Sequence, residues 1–248
     1  MLANVLLRYL LFAGGAYLFF YVWKRRQWLA RRIQPRLPTN AQIRQEIGYS
    51  LLTAGIFAAI FLLVFAARKA GLTRIYADVH EYGWGYLVLS IGLLVLLHDT
   101  YFYWTHRLMH HPRLFRYVHR VHHLSHNPSP WAAYAFHPLE AVIEAGILPL
   151  AVLVLPVHPL ALLVFGLYTL IFNVIGLLGY ELLPPRLHGH WLGRWQDTST
   201  HHNLHHQLTK GNYGLYFNFW DTWMGTNHKL NEERYRQATA VPRETTAA

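Results

Sequence analysis

Three short histidine clusters contain the side chains of this sequence that are best suited to chemistry. Within each cluster the histidines are adjacent or three to four residues apart, and residues three and four apart share one face of a helix. Neutral imidazole is the most common metal ligand among protein side chains near neutral pH. The clusters comprise His106 and His110, then His119, His122 and His123, and finally His202, His205 and His206.

The number of these ligands favours two metal ions held close together. One tetrahedral zinc ion takes only about four ligands, fewer than the three clusters offer. By ligand type, imidazole suits iron, copper, nickel and zinc alike. The His-Glu-x-x-His pattern of zinc proteases and the Glu-x-x-His pair of soluble di-iron bundles are both absent from the sequence.

The composition is that of a membrane protein. Hydrophobic residues make up 53% of the chain and charged residues 14%, whereas about 25% of the residues of an average globular protein are charged. The chain contains no cysteine, which excludes disulfides, thiolate metal sites and iron–sulfur clusters. Much of the net charge of +10 lies between residues 24 and 44. Basic residues directly after an apolar segment are typical of a membrane flank, so nucleic acid is not an expected partner.

The apolar segments predict an all-α, integral membrane helical bundle. A spanning helix needs about 20 predominantly apolar residues, and the first, second and last segments reach that length. The last two are separated by a short turn and form a hairpin that either spans the bilayer or dips into it. The segments cover residues 5–23, 49–67, 86–97, 141–155 and 160–183. We expect about four to five membrane segments and a cytoplasmic helical cap that carries a histidine-rich dimetal site.

The distribution of basic residues predicts the orientation. The positive-inside rule places the loop 24–46 in the cytoplasm. Alternation through five segments then brings all the histidine clusters, in 106–137 and 184–248, to the cytoplasmic side and leaves 68–84 and 156–159 opposite. The expected location is a bacterial inner membrane or the endoplasmic reticulum, depending on the source. Apolar substrates at such a boundary offer mainly C–H bonds, whose cleavage needs oxygen activation, so iron is favoured.

Asp99 is a further candidate, because a charged residue within an apolar segment is often functional. Seven residues, almost two helical turns, separate it from His106, so both face the same way. We predict that Asp99 accepts the ring N–H of a ligating histidine and thereby fixes its tautomer. His98 lies roughly on the same face and could be a ligand or support one.

The motifs closely resemble those of the sterol desaturase / fatty-acid hydroxylase superfamily of membrane di-iron oxygenases. The first cluster, with the residues before it, is similar to the family's Asp-aromatic-Tyr-x-x-His-Arg-x-x-His box. His137-Pro-Leu-Glu is similar to an element of the sterol branch. The third cluster is followed by Asn212-Tyr-Gly and Trp220-Asp-x-x-x-Gly-Thr, a signature of the family. The resemblance covers about residues 97–226.

The resemblance implies the reaction and its components. These are two iron ions, O2 as co-substrate, and a lipid whose C–H bond is hydroxylated or desaturated. The lipid could be sterol-like, fatty acyl or another isoprenoid. The electrons must come from a separate ferredoxin, cytochrome or reductase, because the sequence has no dinucleotide or haem motif and no cysteine for a cluster. Basic residues near the clusters could dock an acidic donor or contact anionic lipid: Arg107, Arg113, Arg116 and Arg120.

The expected domain organisation combines the apolar segments with the resemblance. Residues 1–96 form N-terminal membrane helices, and 97–230 form a catalytic domain of the fatty-acid hydroxylase type. That domain includes the membrane hairpin at about 141–183. Residues 231–248 form a polar tail.

One departure from the family concerns a ninth ligand. Related proteins often carry a histidine at about the place of Leu177. We take His188 as the candidate for this role. The alternatives are His190, His137, His201 and His98.

Two other functions are alternatives to the oxygenase: a zinc-dependent membrane hydrolase and a non-enzymatic metal-binding or transport protein. A hydrolase needs a general base beside the metal, and no carboxylate lies inside a histidine cluster. A transporter places its ligands near mid-membrane, whereas these clusters lie at the ends of segments. The isolated histidines His80, His158 and His228 are expected at the surface or at an interface.

Overall fold

The computed structural model describes residues 1–191 and 193–240. In this part of the chain the regular structure is helical, and β-structure is limited to isolated bridges, so the predicted all-α fold is confirmed. The α-helices are α1 (Leu2–Trp23, with π-helical stretches at Leu10–Gly14 and Leu18–Trp23), α2 (Asn40–Lys69), α3 (Gly83–Met109), α4 (Pro112–Val118), α5 (Arg120–His123), α6 (Pro138–Ala145), α7 (Ile147–Val154), α8 (Pro159–Gly176), α9 (Pro185–His188), α10 (Ser199–Leu208), α11 (Phe219–Trp223) and α12 (Asn231–Thr239). Short 3-10 turns lie at Leu29–Arg31, Val79–Glu81, Pro130–Tyr134 and Gly193–Trp195.

Four helices of the described chain, α1, α2, α3 and α8, are long and apolar enough to cross a membrane. Only 22% to 39% of the residues in their apolar windows are buried inside the protein. Most of the surface of these helices is therefore apolar and uncovered by protein, which is stable in lipid but not in water. The chain is a multi-pass membrane protein, as predicted.

The two arms of the predicted hairpin at 141–183 differ in construction. The first arm consists of α6 and α7, of 8 residues each, which meet at Gly146, whereas the second is the 18-residue α8. The turn between α7 and α8 pairs with the loop after α2, because Val157 donates to Arg74 O and Tyr76 donates to Val157 O, both at 3.2 Å. The same loop leads into α3, which carries His106 about 35 Å further along its axis. The turn and the histidines thus lie at opposite ends of α3.

Three helices begin with a His-Pro pair. The ring Nδ1 of the histidine accepts a hydrogen bond from the backbone N–H two residues later, and proline fills the first helical position, where no N–H is needed. The capping residues are His111 of α4, His137 of α6 and His158 of α8. These three histidines serve to start helices.

The 3-10 turn Pro130–Tyr134 follows the second histidine cluster and is held by the first two membrane helices. The carbonyl of Trp131 accepts hydrogen bonds from Tyr9 Oη of α1 at 2.8 Å and from Ser50 Oγ of α2 at 2.9 Å. Gly14 of α1 permits this approach, since a Cβ there would lie 3.1 Å from the Trp131 ring. The membrane helices are thereby fixed to the chain segment that carries the second cluster.

Part of the predicted polar tail is helical. Residues 231–239 form α12. Tyr235 of α12 is buried, and its hydroxyl donates to Leu183 O at 2.8 Å. Tyr235, Ala238 and Thr239 provide the buried face of this short polar helix. Residues 241–248 lie outside the described residues.

The helix arrangement predicts that residues 72 and 229 lie on opposite sides of the membrane. Because the chain has no cysteine, Leu72→Cys and Lys229→Cys, both at exposed positions, can each be labelled as single cysteines in sealed vesicles. We expect a membrane-impermeant maleimide to label Lys229→Cys from the cytoplasmic side and Leu72→Cys from the other. Labelling of both from one side would contradict the topology, and labelling after detergent treatment controls for reactivity.

Candidate metal centre

The structure brings all eight predicted histidines together in two adjacent groups. Within each group the candidate ligand atoms lie within 4.8 Å of one another. The groups share a boundary at His206, whose ring centroid lies 4.6 Å from that of His122 and 4.8 Å from that of His123. The first group contains His106, His110, His119, His123 and His205, and the second contains His122, His202 and His206.

Three chain segments supply these rings. The end of α3 carries His106 and His110, and the chain then turns at Pro112 into α4 and α5, which carry the second cluster. Helix α10 closes the site with the third cluster. Thr198 caps the start of this helix, and its Oγ1 accepts from the His201 N–H at 3.1 Å. Seven of the eight rings are buried, and His110 is partly exposed.

The ring nitrogens that face one another cannot be explained by hydrogen bonds alone. His106 Nε2 lies 3.0 Å from His119 Nε2, and His110 Nε2 lies 3.1 Å from His205 Nε2. In the second group His206 Nε2 lies 3.2 Å from His202 Nε2. A neutral imidazole has one N–H and one lone pair. Whether Nδ1 or Nε2 carries the hydrogen therefore decides the nature of these contacts.

The contacts of Nδ1 show which nitrogen carries the hydrogen, because Nδ1 of three rings faces a backbone carbonyl, which can only accept. His106 Nδ1 donates to Tyr213 O at 2.9 Å, His205 Nδ1 to Gly211 O at 2.6 Å and His206 Nδ1 to Ser125 O at 3.0 Å. His119 Nδ1 faces Glu140 Oε1 at 2.6 Å. The Nδ1–H tautomer leaves the Nε2 lone pair pointing inward, as metal ligation by imidazole requires.

Burial keeps the histidines in the neutral form that binds metal. It lowers the pKa of His110 to about 4, that of His122 to about 4 and that of His202 to about 3, because a charged ring loses its water. Neutral rings with opposed lone pairs repel one another, and cations between them remove that repulsion. The donor set therefore fits two metal ions, one for each group.

Glu140 is a residue of the site to which the sequence analysis gave no role. It lies in the first turn of α6, and its carboxylate and His119 are both almost fully buried. Burial raises the pKa of Glu140 and thus favours its neutral form. A hydrogen bond from the His119 Nδ1–H and the charge of a bound cation would oppose this effect and keep the carboxylate ionised. The available signal was the His137-Pro pair, which starts a helix and places Glu140 on its first turn.

Asp99 does not take the partner that was predicted. Its Oδ1 accepts the backbone N–H groups of Tyr216 at 2.9 Å and Phe217 at 3.3 Å. Seven helical residues place Asp99 and His106 on one face but about 10 Å apart along the axis, too far for one carboxylate to reach the ring. Asp99 instead holds the loop whose Tyr213 carbonyl accepts from His106.

The closing Trp220-Asp-x-x-x-Gly-Thr motif holds the same loop. Asp221 accepts from the N–H of Tyr213 at 2.9 Å, the N–H of Gly214 at 2.7 Å and Thr226 Oγ1 at 2.6 Å. This loop supplies the carbonyl acceptors of His106, which belongs to the first cluster, and of His205, which belongs to the third. The motif thus acts on the site by orienting rings that it does not touch.

None of the five candidates for a ninth ligand joins either group in the described chain. His188 Nε2 faces Glu232 Oε1 at 3.0 Å, and its ring stacks on Tyr235. His98 Nδ1 contacts Tyr216 Oη at 2.8 Å, His137 caps α6, His201 lies beside Asp197, and His190 is exposed. The end of α8 does reach the second group: a Cβ at Gly176 would lie 3.6 Å from the His202 ring.

Replacing a histidine of either group should release metal. We expect His122→Ala and His205→Ala to lower the metal bound per chain, because each removes one imidazole from the candidate ligands of its group. Elemental analysis of protein purified from membranes measures this. The matched control is His158→Ala. His158 caps α8, at the opposite end of the molecule from the histidine groups, and this variant should keep its metal. Normal metal content in both site variants would contradict the assignment.

Glu140→Gln should weaken metal binding without lowering the amount of folded protein in the membrane. The amide keeps the size of the side chain but removes the charge that faces His119 Nδ1, and losing such a partner lowers metal affinity by about 10–100-fold. Competition with a chelator measures the change. Glu233→Gln, on the exposed side of α12, is the control, and equal affinities in the two variants would show that Glu140 has no influence on the ligands.

The comparisons with known proteins agree with this geometry. The family model described as Fatty acid hydroxylase matches residues 91–226, which is more than half of the chain. Delta(7)-sterol 5(6)-desaturase ERG3B of Gibberella zeae is 32% identical over 214 residues, 86% of this chain and 63% of the relative. Delta(7)-sterol 5(6)-desaturase erg3C of Aspergillus fumigatus is 32% identical over 234 residues, 88% of this chain and 71% of the relative.

A more distant relative is lathosterol oxidase of Homo sapiens, 26% identical over 182 residues, 73% of this chain and 59% of the relative. The chain thus spans about three fifths to seven tenths of the length of these relatives. No solved structure matches the chain. The matched region contains every histidine of the two groups and the closing motif that holds their loop. The chain therefore belongs to the fatty acid hydroxylase family, within the superfamily that includes the sterol desaturases, as its histidine motifs predicted.

Proposed function

We propose that the chain is a membrane oxygenase that uses two iron ions, O2 and two external electrons to hydroxylate or desaturate a C–H bond of a sterol-like lipid. The observation that carries the proposal is the convergence of eight neutral imidazoles, seven of them buried, at one end of a membrane helix bundle. Imidazole suits iron among other metals, and the named activities of the relatives are sterol desaturation and lathosterol oxidation.

An apolar pocket between the membrane helices supports a lipid substrate. Side chains of α1, α2 and α8 line it, together with Phe136, whose ring packs 5.2 Å from that of His122. The pocket therefore lies among lipid-exposed helices and reaches Phe136, which separates it from His122 of the second histidine group. Its apolar lining includes Val5, Phe57, Ile60, Leu148, Leu162 and Phe165.

A few polar side chains line the same pocket and would orient the substrate. Thr169 and Asn173 of α8 lie on one wall, and Glu144 of α6 and Arg8 of α1 also face the pocket. A sterol presents one hydroxyl on a rigid apolar body, so a small number of polar groups in an apolar pocket matches its chemistry.

The side chains around the metal centre bind, orient and exclude water. Two bound iron ions would supply oxygen activation, the chemistry that C–H bonds require. The eight histidines would hold the ions, and Glu140 and the carbonyls of Tyr213, Gly211 and Ser125 fix four of the rings through Nδ1. Burial of seven of the rings keeps water from the reacting carbon.

The electron donor would dock on the histidine end of the molecule. Arg107, Arg113, Arg116 and Arg120 are exposed on the last turn of α3 and on α4 and α5. A cluster of positive charge attracts an acidic donor and speeds its association. In the proposed orientation this face lies in the cytoplasm, where a ferredoxin, a cytochrome or a reductase would reach it.

The experiment combines metal analysis with turnover. Iron-loaded protein in lipid discs is incubated with a Δ7 sterol, a ferredoxin and its reductase under 18O2, and sterols are analysed by mass spectrometry. We expect iron at about two per chain and a sterol that has lost two hydrogens or gained one 18O atom. Stoichiometric zinc with O2-independent ester cleavage would instead show a hydrolase, and oxidation of acyl chains alone would reject the sterol.

A pair of pocket variants controls for the route of the substrate. Leu148→Trp fills the pocket, whereas Leu150→Trp adds the same bulk to a lipid-facing position that is 49% exposed. We expect Leu148→Trp to lower turnover with its iron retained and Leu150→Trp to keep both. Equal turnover in the two variants would show that the pocket does not admit the substrate.

A further inference from the structure

A third group of ligand-type side chains lies outside the two histidine groups. It contains Asp197, His201 and Asp221, whose candidate ligand atoms lie within 4.8 Å of one another. All three residues are buried. His201 and His202 are neighbours on α10, so their side chains point about 100° apart around the helix axis, and His202 alone joins the histidine groups.

The carboxylate of Asp197 has no hydrogen-bond partner on either oxygen, although the residue is only 8% exposed. His201 Nδ1 also has no hydrogen-bond partner and lies 3.1 Å from Asp197 Oδ1. A buried carboxylate without a partner is strongly unfavourable. The unsatisfied oxygens and ring nitrogen face the same small space.

The tautomer of His201 sharpens the conflict. Its Nε2 lies 3.1 Å from Asn227 Oδ1, so Nε2 carries the hydrogen and a neutral ring has its lone pair on Nδ1. That lone pair then points at a carboxylate oxygen. A positive ion between them converts the repulsion into coordination.

Asp221 adds a second carboxylate to the space. It accepts three hydrogen bonds, from the N–H groups of Tyr213 and Gly214 and from Thr226 Oγ1. Gly214 separates the two acids: a Cβ there would contact Asp197 Oδ2 and lie 3.1 Å from Asp221 Oδ2. Because Gly214 has no side chain, both carboxylates have room to lie close to each other at this position.

We propose that Asp197, His201 and Asp221 bind one divalent transition-metal ion of the Mn2+, Fe2+ or Zn2+ type, separate from the histidine groups. Two carboxylates and one imidazole suit these ions, whereas Ca2+ and Mg2+ prefer oxygen ligands alone. The two negative charges match the charge of the ion. A surface cavity of about 470 Å³, lined by His201, Asn218 and Asn227, lies beside the group.

The ion has a structural role in this arrangement. Asp197 precedes α10, which carries the third histidine cluster, and Asp221 holds the loop whose carbonyls orient His106 and His205. A shared ion joins these two segments. Its binding does not depend on the identity of the metals in the histidine groups or on the substrate.

The test counts a third ion directly. Iron-loaded protein is titrated with Mn2+, freed of excess metal and analysed for iron, for Mn2+ and for the electron paramagnetic resonance of Mn2+. We expect about three metal ions per chain in all, one of them Mn2+ with a magnetic coupling to imidazole nitrogen. A total of only two ions per chain, iron and Mn2+ together, would overturn the proposal and leave a proton shared by His201 and Asp197 as the explanation.

Two variants separate the third site from the histidine groups. Asp197→Asn keeps the size of the side chain and should lose the Mn2+ while keeping its iron, whereas His205→Ala should lose iron and keep the Mn2+. Glu233→Gln is the surface control and should keep both. Equal Mn2+ in Asp197→Asn and the unaltered protein would contradict the ligand assignment, and the nitrogen coupling of the unaltered protein decides the question if Asp197→Asn does not fold.

Discussion

The opposed lone pairs of the buried imidazoles are the constraint on which the rest of the structure depends. Neutral rings with their Nε2 atoms about 3 Å apart repel one another unless cations lie between them. The inward orientation is fixed where the Nδ1–H of a ring has an acceptor on its other side, as it has in four of the rings. The acceptors are backbone carbonyls and one glutamate, so the loops around the site matter as much as the histidines themselves.

This requirement explains why polar residues far from the ligands are buried. Asp99 and Asp221 accept backbone N–H groups of one loop and fix the carbonyls that the rings need. Asp99 belongs to a helix that also crosses the membrane, and Asp221 belongs to the closing motif. The membrane bundle and the cap are thus connected through the loop between α10 and α11.

Much of the site could be predicted from spacing, because three- and four-residue intervals specify a helical face without any knowledge of the fold. The eight histidines that meet in the structure are the eight that this argument selects. The partners of their rings could not be predicted in the same way. The acceptors of His106 and His205 are carbonyls of residues 213 and 211, and nothing in a side-chain pattern identifies a carbonyl. The role of Asp99 was misjudged because a shared face does not imply a short distance along the axis, and the position of His188 follows from a contact with α12 that composition did not reveal.

The membrane spans were predicted from apolar length, but the division of the hairpin at Gly146 and the helix at 231–239 depend on local packing that hydropathy does not encode. Trp131 shows what such packing does. One carbonyl accepts hydrogen bonds from two spanning helices, and the same segment continues from the second histidine cluster. Tilting of either helix, the usual response to a bilayer of unmatched thickness, therefore strains the segment next to the metal centre, which makes the thickness of the host membrane part of the coordination environment.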